Sequence, residues 1–261
     1  MMRARAELAT DYIQRTDGRG RSRITTLRSE SPLMLRPTFP KGPEPWTDGA
    51  ANVARVCLAA GAAGPVGGDE LVLRVDVGRD STLVLRDVSA TLLLPGPGGE
   101  QSSTRVTVHV CSGATLVWIP EPVIAAHGCR HRSDIRVDLD PGARLLLREE
   151  LLLGRHRESP GTVYQHLRVR LDGRPLLNQQ LSVGPGAPGW GSPAVTGGRR
   201  ALGTLLVVDP RWSDDPPPAA ALDGDSAVLP LNGPAALVSA VATDNLSLRR
   251  SLDVGLDRLT G

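Results

Sequence analysis

Three short stretches carry side chains whose type and spacing suit chemistry. His127-Gly128-Cys129-Arg130-His131 offers two imidazoles and a thiol. In an extended chain His127, Cys129 and His131 share one face, and imidazole and thiolate are good ligands for nickel or zinc. Same-face neighbours stand ~6.8 Å apart, so two converge on one ion and three need a bend. A closed site takes four ligands and the sequence supplies no fourth. Two surface histidines flanking a buried cysteine is the competing reading. Glu149-Glu150 precedes Leu151-Leu152-Leu153-Gly154-Arg155. Adjacent strand residues face opposite ways, so one glutamate points inward, where a glutamate needs a partner. An arginine would make it structural; without one it lines a polar passage. In Gly67-Gly68-Asp69 the glycine pair permits a tight turn and sets a carboxylate at the mouth of a strand. The alternative is an aspartate that satisfies turn amides.

Signatures of known catalysts are missing. The chain has no G-x-S-x-G elbow, no phosphate loop, no H-E-x-x-H and no C-x-x-C. The acids Asp138, Asp140, Glu149 and Glu150 leave one enzymatic rival, a carbohydrate-active β-solenoid, which would need paired carboxylates. An aromatic content of 3% leaves little to stack on sugars.

The elements that position these residues are strands. Apolar side chains alternate with polar ones at Leu71, Leu73, Val75 and Val77, at Val106, Val108 and Val110, at Ile135, Val137 and Leu139, and at Leu167, Val169 and Leu171. Three similar turns follow the first three of these runs: Asp80-Ser81-Thr82-Leu83, Gly113-Ala114-Thr115-Leu116 and Gly142-Ala143-Arg144-Leu145. Their starts lie 33 and then 29 residues apart, the mark of stacked coils or repeated hairpins. Asp172-Gly173 is a hairpin turn. Gly184–Gly198 and Ser213–Asp225 are loops, with strands over Leu202–Val208 and Val228–Leu231 between and after them. Near the end, Asp244 or Asn245 caps a helix whose Leu248, Leu252, Leu256 and Leu259 form one stripe, packed on the sheet or open to a partner. The expected fold is all-β, a two-layered, β-helix-like solenoid of many short strands with one or a few helices near the C-terminus, in a single domain over 1–261.

Bulk properties narrow the function further. With 30 basic and 28 acidic residues the net charge is +2, which argues against a nucleic-acid partner or a polybasic membrane anchor. No stretch approaches the ~20 apolar residues of a membrane helix, and residues 1–15 lack a secretory h-region. Three widely spaced cysteines fit a reducing cytoplasm better than a disulfide framework.

Several blocks, in order, resemble the UreD (UreH) family of urease accessory proteins. They are Ser31-Pro32-Leu33-Met34-Leu35-Arg36-Pro37, Gly64-Pro65-Val66-Gly67-Gly68-Asp69-Glu70-Leu71, Gly113-Ala114-Thr115-Leu116-Val117-Trp118-Ile119-Pro120, Pro141-Gly142-Ala143-Arg144 with Glu149–Arg155, and Arg170-Leu171-Asp172-Gly173-Arg174-Pro175-Leu176. The resemblance is strongest over 27–210. It implies a non-catalytic cytoplasmic scaffold that binds apo-urease, the accessory protein UreF and the GTPase UreG. It also implies that nickel passes transiently, with no tightly bound cofactor and with GTP hydrolysis left to UreG. Asp69, Glu149 and Glu150 fall in the matching blocks and are the first candidates for a nickel relay; His127, Cys129 and His131 lie outside the family pattern and are a second. The chain departs from the pattern at Leu85–Leu92, at Glu121 (a glutamine in the family) and at Thr162 (acidic in the family). A β-rich interaction module without a metal role is the remaining alternative.

Overall fold

A computed structural model describes residues 1–14, 20–40, 44–47 and 52–260. The strands are β1 Arg3–Gln14, β2 Gly20–Arg28, β3 Leu33–Pro37, β4 Ala54–Ala60, β5 Glu70–Val77, β6 Thr82–Asp87, β7 Thr91–Leu93, β8 Ser102–Val110, β9 Thr115–Ile119, β10 Val123–Ala125, β11 Arg130–Leu139, β12 Arg144–Leu153, β13 Thr162–Leu171, β14 Arg174–Val183, β15 Ala201–Val208, β16 Ala220–Ala221, β17 Ser226–Pro230 and β18 Ala235–Ala242. A single α-helix among the described residues, α1 Asn245–Thr260, follows them.

The strands form two layers. One sheet runs β14-β13-β11-β8-β5-β1-β2 and the other β16-β17-β18-β15-β12-β9-β6-β4-β3. Within both, the central strands are parallel, because each coil goes up one sheet, turns, and comes back along the other: β5 to β6, β8 to β9, β11 to β12. The repeated turns of the sequence are the corners of these coils. Asp80, Gly113 and Gly142 all take positive φ (58, 71 and 78°), so an aspartate does in the first corner what glycine does in the next two. The corners hydrogen-bond to one another, Thr115 N–H to Ser81 O at 2.9 Å and Arg144 N–H to Ala114 O at 2.9 Å, which fixes the stacking. Asp172-Gly173 makes the expected hairpin between β13 and β14, both residues at positive φ.

Burial follows the register. Leu71, Leu73, Val75 and Val77 of β5 meet Leu83, Leu85, Leu116, Leu145 and Leu147 between the sheets. The second sheet is covered on its other face as well, where Val117, Leu146, Leu205 and Val238 pack under Leu248, Leu252 and Leu259 of α1. Its strands therefore read as near-continuous apolar runs such as Leu145-Leu146-Leu147, as strands buried on both sides do. Asp244 caps α1 by accepting the Ser247 N–H at 2.9 Å. Of the expected leucine stripe, Leu248, Leu252 and Leu259 are buried and Leu256 is partly so, so the stripe is used internally. No helix of the described residues is long and apolar enough to cross a membrane. The three cysteines are free thiols.

Candidate functional site

Glu149 lies on β12 in register with Leu145, Leu147, Leu151 and Leu153, so it points between the sheets. It is the carboxylate in a leucine row. No hydrogen bond or ion pair reaches it among the described residues, and burial alone pushes its pKa up to about 7. The surface it retains faces cavities. One, of about 230 Å³, is lined by Glu149, Gln165, Gln179, Thr204 and Ser239 among others. The next, of about 150 Å³, shares Glu149 and Gln165 and adds Asp87, Glu121, His131 and Glu150. A third, of about 70 Å³, shares Asp87 with the second and reaches Pro32, Pro65 and Ser89. Each exceeds the ~10–15 Å³ that one water requires. The three thus adjoin in a row between the sheets, with a carboxylate at each junction.

Asp87 is the other junction. It ends β6 on the inward register of Leu83 and Leu85. Burial raises its pKa to about 7, the charge of Glu121 adds to this, and a hydrogen bond from the Glu121 N–H partly offsets it. His131 faces the same cavity, its Nδ1 2.9 Å from Ser102 Oγ, and burial lowers its pKa to about 4, so at neutral pH it is an uncharged imidazole. Among the described residues no three of these cavity groups converge into a cage.

The other sequence candidates fall elsewhere. Glu150, on the opposite face of β12, is clamped by Arg148 Nε at 2.6 Å and Arg249 Nε at 3.0 Å, with Arg249 also holding Glu121. This is the arginine-paired alternative for one of the two glutamates. Both Asp69 oxygens accept backbone amides, Met2 N–H at 2.7 Å and Val66 N–H at 2.9 Å, which seats the start of β1 beside β5 as a turn aspartate does. The segment 127–131 is not extended as expected: His127 and Gly128 form a turn with Gly128 at φ 73°, and β11 begins only at Arg130. The turn separates the shared face, leaving His127 exposed, Cys129 buried against Gly161, and His131 inside the cavity. Burial first, then the charge of Glu158, pushes the Cys129 thiol up to about 11, so it stays protonated. The acids of the glycosidase alternative do not share a site: Asp138 is on the outer face, Asp140 at a corner, Glu149 inside and Glu150 under α1.

Relatives match this sequence along most of its length. The family model for UreD urease accessory protein matches residues 3–256. Named urease accessory protein UreD, a Streptomyces avermitilis protein is 43% identical over 246 residues, 94% of each chain. UreD 3 of Streptomyces griseus is 44% identical over 246 residues, 93% of each. UreD 2 of Saccharopolyspora erythraea is 41% identical over 250 residues, 94% of this chain and 85% of its own. The coils, the corners and the sheet-to-sheet core described above therefore belong to a chain that is a member of the UreD family of urease accessory proteins.

Proposed function

We propose that this chain is a non-catalytic, cytoplasmic scaffold of urease maturation, which binds apo-urease, UreF and the GTPase UreG and lets nickel cross between its two sheets. Nickel is cargo in this reading, not a resident cofactor. The observation that carries it is the row of three adjoining cavities with Asp87 and Glu149 at the junctions. An ion in transit needs ligands that hold it weakly enough to release it, and separated oxygen donors do this better than a thiolate–imidazole cage. A cation entering the row would meet Asp87 beside Glu121, then Glu149, with the neutral His131 offering a nitrogen along the way. Each carboxylate gives up its proton as the ion arrives, so the pKa values near 7 keep both groups poised between the two states. Glu150 also faces the second cavity, but Arg148 and Arg249 hold its carboxylate and it fixes α1, while Asp69 fixes β1.

Affinity capture of the tagged chain from cells that make urease tests the partner claim. Recovery of urease subunits with a GTPase is expected. Capture of neither, or hydrolysis of glycans by the purified chain, would reject the scaffold reading.

A further inference from the structure

His109, Cys111 and Asp140 bring one imidazole, one thiol and one carboxylate together within 4.8 Å of one another. Among the described residues it is the one such trio. The coil stacking makes it. His109 is the penultimate residue of β8, Cys111 begins the corner that follows, and Asp140 begins the corner of the next coil. Backbone bonds hold the register, Cys111 N–H to Val77 O at 2.9 Å and Asp140 N–H to Val110 O at 2.9 Å. Around the ring, Nε2 lies 3.1 Å from Asp140 Oδ1 and Nδ1 lies 3.9 Å from Cys111 Sγ. Further carboxylates stand beside the trio. Asp76 pairs in register with His109, and Asp11 leans over Gly78, where a Cβ would sit 3.0 Å from its Oδ1. Arg79 is the nearby cation.

We propose that His109, Cys111 and Asp140 form a surface site for a divalent transition ion of borderline softness, the class of Ni²⁺, Co²⁺ and Zn²⁺. Imidazole with thiolate selects this class over Mg²⁺ and Ca²⁺, which prefer oxygen alone. Bonds of ~2.0–2.3 Å put tetrahedral ligand atoms ~3.3–3.8 Å apart, so rotamer shifts of about 1 Å close the site. Three protein ligands leave a position open to water or to an incoming donor, the pattern of an exchangeable ion. Binding converts the thiol to a metal-bound thiolate and releases its proton. Because that proton must leave, uptake strengthens as pH rises. The site lies on the outer corner of the coils and does not depend on the interior cavities.

Titration of the purified full-length chain with NiCl₂ or CoCl₂ alone tests this, read as a thiolate-to-metal charge-transfer band and as stoichiometry. The band is expected in the parent chain and in a Cys57→Ser/Cys129→Ser variant. Cys111→Ser should abolish it, and His109→Gln or Asp140→Asn should weaken binding at least about tenfold, the scale at which even supporting residues matter. Glu149→Gln should leave the band unchanged, which separates this site from the interior path. A band that survives Cys111→Ser, or a parent chain with none, overturns the assignment.

Discussion

At Glu149 the cost of burial falls on the charged form. Its pKa of about 7 stands above the 4.5 of an ordinary glutamate, so between those values the folded chain holds a proton the unfolded chain has lost. Its contribution to stability is fully present below pH 4.5 and is lost as pH rises toward 7. His131 acts in the opposite direction: with its pKa lowered to about 4, its contribution is present above 6.5 and lost as pH falls toward 4. The two slopes oppose each other in the parent chain. Glu149→Gln should therefore match the parent near pH 4.5 and exceed it by up to about 3 kcal/mol above pH 7, leaving the acid loss due to His131 exposed. Denaturant unfolding at several pH values measures this; a constant offset between the two proteins would contradict it. At the same scale, the sequence made it plain that one of Glu149 and Glu150 points inward, because strand neighbours alternate. Which one required the register of β12, since apolar residues occupy both parities on a strand covered on both faces. Asp87 and Glu121 stood out in the sequence only within departures from the family pattern and not as cavity acids, because no metal or catalytic motif contains them. The available signal was parity: Asp87 extends Leu83 and Leu85 just as Glu149 extends Leu145 and Leu147. A carboxylate on the core register of an alternating strand marks the cavity.

The helix α1 shows how an element depends on the sheet beneath it. Gly255 faces Val238 of β18, and a Cβ there would stand 2.6 Å from Val238 Cγ1. Gly203 on β15 leaves similar room for Leu252. Alanine favours a helix over glycine by about 1 kcal/mol, but overpacking a core costs about 1–3 kcal/mol. Gly255→Ala should destabilise the chain by about 1 kcal/mol, seen as a lower melting temperature with the helical circular dichroism kept; a gain in stability would mean α1 rides loosely. Arg249 ties α1 to Glu150, whose side chain is 1% exposed, and to Glu121. Arg249→Ala leaves Glu150 with Arg148 alone and should cost about 2–3 kcal/mol, somewhat below the range for a fully buried pair because Arg249 is partly exposed. An unchanged unfolding midpoint would show that Arg148 suffices. The repeat of corners, the hairpin at Asp172-Gly173 and the leucine stripe of α1 were legible, because each rests on local conformational preference. The strand β1 was not, because Ala4, Ala6 and Leu8 alternate with too little hydrophobic contrast to stand out, and its place beside β5 is set by long-range parallel pairing.

At the scale of the molecule, the coils create the row of cavities. Parallel stacking keeps the two sheets apart by the side chains between them, and where a leucine row gives way to Asp87 or Glu149 the filling is incomplete and polar. The solenoid and the family were readable from ordered blocks of sequence; the cavity row was not, because its lining comes from strands far apart in the chain. The claim that nickel uses this row is tested most directly by loading. Apo-urease is assembled with the accessory proteins and either the parent chain or an Asp87→Asn/Glu149→Gln variant, and the nickel bound in urease is counted per active site after GTP is added, alongside the composition of the complex. With the complex intact, the variant should deliver at least about tenfold less nickel in the same time, as expected when carboxylates that contact the ion are neutralised. Equal loading by both chains would contradict the path and leave the chain a scaffold that only holds its partners together.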